Sequence, residues 1–86
     1  MKTAKLLSEP TNYAVVQLPG RAFPGVVFQG DSLNCLIGDI EEAAAEADPK
    51  ELSACLEDVI ERLQAIRTHY EAVLGREGIE LPYSKS

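Results

Sequence analysis

Between Leu52 and Val73, apolar side chains recur at alternating steps of four and three: Leu52, Leu56, Val59, Leu63, Ile66, Tyr70 and Val73. A run of three heptads in that register calls for one long helix with a coiled-coil-like seam. Its start is marked by Asp48 at the cap, Pro49 at the first helical position and Glu51 at the third. Gly75 and Gly78 offer left-handed caps at the far end, with Ile79 placed to fold back onto Val73 or Leu74. The spacing therefore predicts helix two over 48–75 and an extended tail over 76–86. Cys55, Ile60 and Leu74 widen the apolar stripe to roughly 160°, more than one neighbouring helix covers.

A first, shorter helix is expected over 31–47. Gly30-Asp31-Ser32 opens it, with the Asp31 carboxylate accepting from free backbone amides, and Leu33, Leu36, Ile37, Ile40 and Ala44 share one face. Gly38 lies inside this helix, where it costs about 1 kcal/mol relative to Ala unless a close backbone approach requires it. Upstream, Tyr13–Leu18 and Val26–Gln29 carry β-branched and aromatic bulk on either side of Pro19-Gly-Arg-Ala-Phe-Pro-Gly25, which reads as a hairpin over 13–29. The connection is too long for a two-residue turn and displays Arg21 and Phe23 at its tip. Residues 1–12 form a loose terminus or an edge strand, with 3–7 the candidate for a third strand.

The expected fold is α+β, one domain over 1–86 in which an N-terminal hairpin packs on an antiparallel two-helix unit. At 1.5 Å per residue the helical span Pro49–Leu74 overhangs the span Ser32–Ala47 by about 15 Å. The hairpin is expected to cover that overhang around Ile66, Tyr70, Val73 and Leu74, and a second copy to cover the remaining apolar flank, giving a homodimer through helix two.

The net charge of −6 is uneven: residues 1–30 sum to +2, 31–61 to −9 and 62–86 to +1. An acidic helical middle repels phosphate backbones and anionic lipid, so neither nucleic acid nor membrane is expected as a partner. No signal leader or long apolar run stands out, and the two cysteines, Cys35 and Cys55, are placed on differently oriented helix faces, so a cytoplasmic protein with reduced thiols is expected.

The chain is poor in catalytic patterns. His69 is the lone histidine and has no second ligand at metal spacing, and no nucleophile elbow or phosphate loop is present, so neither an enzyme nor a metal or cofactor site is expected. The favoured function is protein interaction, with Arg21, Phe23, His69, Tyr70 and Tyr83 as binding residues, although Tyr70 fits the core equally well. Two other classes remain open. An acidic immunity protein would cover a basic toxin, and a small-molecule or anion binder would use Gly30, Asp31 and Ser32 at the hairpin–helix junction.

The string from Asn12 through Leu-Pro-Gly-Arg-Ala-Phe-Pro-Gly-Val-Val-Phe-Gln-Gly-Asp-Ser-Leu33, with His69-Tyr-Glu-Ala-Val-Leu74 and Gly78-Ile-Glu-Leu-Pro-Tyr83, resembles a family of small bacterial proteins classed as a domain of unknown function. The resemblance spans nearly the whole chain. It implies a bacterial origin and carries no catalytic or binding role.

Overall fold

The structure, a computed structural model, describes residues 3–84. In chain order it contains β1 (Lys5–Leu6), β2 (Val15–Gln17), β3 (Gly25–Val26), α1 (Gly30–Ala45) and α2 (Pro49–Glu77). The α+β expectation holds, and the hairpin gains the third strand. β1 and β3 flank β2, both antiparallel, with Lys5 opposite Gln17, Leu6 opposite Val16, Val15 opposite Val26 and Val16 opposite Gly25. Two bonds of 2.8 Å, Leu7 N to Val15 O and Val27 N to Ala14 O, prolong this short ladder. The parts of the expected terminus and tail that fall on residues 1–2 and 85–86 lie outside the described residues.

The hairpin connection is closed from within. Gln17 Nε2 donates to the carbonyls of Leu18 (3.1 Å) and Arg21 (2.8 Å), while Gly20 takes φ +80°, a conformation that favours glycine. Tyr13 also has a positive φ, 64°, and its ring meets Phe28 edge-on at 5.2 Å between centroids.

Both helix boundaries of the shorter helix move. α1 starts at Gly30 with Gln29 as its cap, and Gln29 makes no side-chain capping bond. Asp31, expected to cap, instead lies in the first turn and accepts from the adjacent Ser32 N at 2.9 Å. The helix ends at Ala45 rather than at residue 47. Glu46 is extended and its Oε1 accepts from Asp48 N, and Pro49 disfavours helical geometry at Asp48.

α2 begins as its sequence dictates: Asp48 Oδ1 accepts from Lys50 N at 3.0 Å, ahead of Pro49. It runs further than expected, through Gly75 to Glu77. The left-handed residue is Gly78 (φ +70°), and Ile79 N donates to Leu74 O at 2.9 Å across it. The close approach that would justify Gly38 is not there, because a Cβ on Gly38 meets nothing within 4 Å.

At about 1.5 Å per residue, α2 exceeds α1 by roughly 20 Å. The sheet covers this overhang. Val15, Tyr70, Val73 and Leu74 form the buried cluster, with Leu7, Val26, Ile79 and Leu81 packed against it. Tyr70 Oη donates to Pro24 O at 2.7 Å, fixing the hairpin to the helix, and Arg76 reaches Leu7 O at 3.3 Å. Next to the turn the helix pair is thinly packed, with Ala43 the buried residue of α1 and Val59 its α2 counterpart.

Candidate functional site

Helical phase shows what the two helices leave uncovered. Take Val59 and Ala43, both buried, as the directions in which α2 and α1 face each other, and advance about 100° per residue. On α2, Leu56, Ile60 and Leu63 then fall 40–100° to one side of Val59. On α1, Leu33, Ile37 and Ile40 fall about 60–120° to one side of Ala43. Since the helices are antiparallel, rotations of the same sense carry both sets to the same side of the hairpin.

The ion pair checks this construction. Arg62 and Asp39 are displaced in the opposite sense, and they meet at 2.6 Å on the other side of the helix pair. The six aliphatic residues thus form one surface, each 39–51% exposed. Singly exposed apolar residues are ordinary, whereas a contiguous apolar patch across two helices is of the kind on which proteins, membranes or ligands dock.

The global dimensions agree. A radius of gyration of 15.7 Å exceeds the roughly 12 Å of a compact chain of this length. The accessible surface is 6434 Å², against about 5,000 Å² for a compact 9.3 kDa monomer, an excess of roughly 1,400 Å².

Towards the sheet the apolar surface becomes concave. Ile60, Leu63, Gln64 and Arg67 line one hollow. Leu63, Arg67 and Tyr70 line the next, together with Pro24 and Val26 of the hairpin and Pro82 and Tyr83 of the tail. Tyr83 Oη donates to Glu71 Oε2 at 3.0 Å. Burial first, then the hydrogen bond and charge of Glu71, push its phenol above the usual tyrosine range.

The residues singled out from sequence are dispersed by this geometry. Tyr70 is buried, so its ring serves the core and only the margin of the hollow. Tyr83 is exposed beside it, and Phe23 is exposed next to Pro24. Arg21 is exposed on the hairpin connection and lines neither hollow. His69, one step from Tyr70 in sequence, lies about 100° around the helix. It faces a separate cleft of about 340 Å³ with Thr11, Asn12, Tyr13, Arg62, Ala65 and Ile66.

The helix start offers little to an anion. Asp31 already occupies the Ser32 amide, Ser32 Oγ accepts from Asn12 Nδ2 at 3.4 Å, and Gly30 is exposed. Strand register separates Arg21 from this point: it sits past the β2 end of the hairpin, whereas Asn12 and Ser32 lie past the other. Among the described residues no three His, Cys, Asp or Glu side chains are grouped to hold a metal ion, and no helix is long and apolar enough to cross a membrane. Cys35 and Cys55 are free thiols.

Sequence reasoning did not single out the α1 half of the apolar surface, nor Arg67. Their signal is present as Leu33, Ile37 and Ile40 at helical spacing, but spacing alone does not say which part of that stripe the second helix covers.

A three-stranded antiparallel sheet packed on the long arm of a helical hairpin is an α+β architecture. The chain belongs to the family described as a family of unknown function, DUF6959, which matches residues 1–83. No curated protein and no solved structure matches it.

Proposed function

We propose that this is a small bacterial cytosolic protein whose role is protein interaction without catalysis, and that it self-associates through α2 and the adjoining face of α1. The single observation that carries this reading is the continuous aliphatic surface of Leu33, Ile37, Ile40, Leu56, Ile60 and Leu63, half exposed on a chain that has few buried residues. Tyr83, which lines the hollow at the sheet end, extends that surface and supplies the aromatic type that anchors interfaces, while Phe23 is exposed on the hairpin connection.

Sedimentation equilibrium from 1 to about 100 µM tests it, a span that brackets ordinary non-obligate affinities. The expected mass is twice the 9.3 kDa of the chain, and Ile60→Asp is expected to return the monomer with its helicity kept. A wild-type monomer throughout overturns the reading.

The cleft containing Arg62 and His69, between Thr11–Tyr13 and α2 and not at Gly30–Ser32, supports a second reading, a small-molecule ligand bound there. Thermal unfolding with a panel of small carboxylates and phosphates tests it. A rise in Tm that His69→Ala abolishes favours this reading, and no rise with any compound sinks it.

A further inference from the structure

The same surface carries information on how two copies meet. This inference rests on the self-association reading above and specifies its geometry. Along α2 the surface presents Leu56, Ile60, Leu63 and Arg67 at steps of four, three and four. Arg67 shares its hollow with Ile60 and Leu63, so it belongs to the surface and not to its back. Among the described residues it forms no ion pair, and neither does Glu57, exposed one residue on from Leu56 and about 100° further round the helix, on the outer edge of the surface.

Charge is distributed along the helix axis rather than across it. Residues 41–61, around the α1–α2 turn, hold eight carboxylates and one lysine, while the remainder of the chain is close to neutral. Two copies packed side by side in the same direction would bring both acidic turns together. Packed in opposite directions, each turn lies against the partner's sheet half, where Arg67 is placed.

We propose that a second copy of this chain seats antiparallel across the apolar surface, about a two-fold axis crossing α2 between Glu61 and Arg62, with Arg67 of each copy paired to Glu57 of the other. The axis follows from the row itself. Its midpoint sets Ile60 against Leu63 of the second copy and Leu56 against Arg67, and Glu57 is the carboxylate one residue from Leu56. A two-fold makes the arrangement self-complementary, as an isologous dimer requires.

Charge reversal tests the geometry, because both residues are exposed and their replacement leaves the intramolecular core untouched. The dimer dissociation constant of wild type, Arg67→Glu, Glu57→Arg and the double variant is measured by sedimentation at low and at 0.5 M salt, with far-UV circular dichroism confirming the fold. Each single reversal is expected to weaken the dimer about tenfold or more, since the contact occurs twice, and the double variant to restore it. Salt is expected to weaken the wild-type dimer. A wild-type dimer that ignores the single reversals, is not restored by the double, or tightens with salt overturns the antiparallel pairing while leaving self-association standing. A wild type that stays monomeric overturns both.

Discussion

Replacing Tyr70 by Phe removes one oxygen atom from the place where the hairpin is fastened to α2. The phenol donates to Pro24 O at 2.7 Å, and both Pro24 and Tyr70 are buried. The substitution leaves the ring packing in place and a buried carbonyl without that partner. A bond of this kind contributes about 1 kcal/mol net, and the abandoned acceptor adds desolvation cost, so a loss of about 1–2 kcal/mol is expected. For a domain of this size that lowers Tm by about 4–8 °C per kcal/mol.

Urea unfolding followed by circular dichroism, at one fixed protein concentration so that any self-association weighs equally on both proteins, measures the loss. The pH dependence supplies a second handle. Burial raises the Tyr70 phenol above its ordinary value near 10, so the folded state favours the neutral donor. That contribution to stability is fully present below the unfolded value and is lost as pH rises through the folded one. Wild type should therefore lose stability in alkali more steeply than Tyr70→Phe, compared on a Tyr83→Phe background because Tyr83 is raised as well. Equal stability of the two proteins within ~0.3 kcal/mol at pH 7 would show that the Pro24 contact holds nothing.

Three further outcomes are expected. Gly38→Ala should stabilise the protein by up to about 1 kcal/mol in thermal unfolding, because the position is helical and its Cβ meets open space. Asp48→Ala should destabilise it by about 1 kcal/mol through loss of the bond to Lys50 N, whereas Asp48→Asn should retain most of that stability. Cys55 should alkylate more slowly at pH 8 than a thiol in an unstructured peptide, because burial and the carboxylates of Glu46, Glu42, Glu51 and Asp58 raise its pKa; mass spectrometry of quenched time points measures the rate.

The features legible in the sequence were those set by local chemistry. Asp48-Pro49-Lys50-Glu51 gave the start of α2 to the residue, and the four-three spacing placed Val59, Tyr70 and Val73 on its buried side. Strand β1 was harder to see, since two residues bearing one lysine and one leucine have no period; it exists because β2 offers an edge. The start of α1 misled for a different reason. Asp31 is a good capping residue, but the backbone enters the helix two residues earlier, at Gln29, and the carboxylate is left with its own neighbour's amide.

Gly75 also looked like a stop, yet a glycine ends a helix only where the chain turns left-handed, and tertiary contacts of Val73, Leu74 and Ile79 put that turn at Gly78. For the candidate surface, the residue types were readable but the side was not. Whether Ile37 and Ile60 face inward or outward depends on the rotation of one helix against the other, which the Arg62–Asp39 contact reveals and no single-helix pattern contains.

The long helix is the one element on which both halves of the molecule rest. At one end it anchors Val15 and the strands; at the other it meets α1 at Ala43, the buried residue of that helix, at half-buried Leu36 and at the Arg62–Asp39 ion pair. Such a layout behaves like a spar with two separately bolted fittings, and local opening follows the weaker bolt. Amide protons of α1 should exchange with solvent well before those around Leu74. A second copy clamped over α1 would slow that breathing most where the isolated chain is loosest, so association would complete the fold of this region as well as join two molecules.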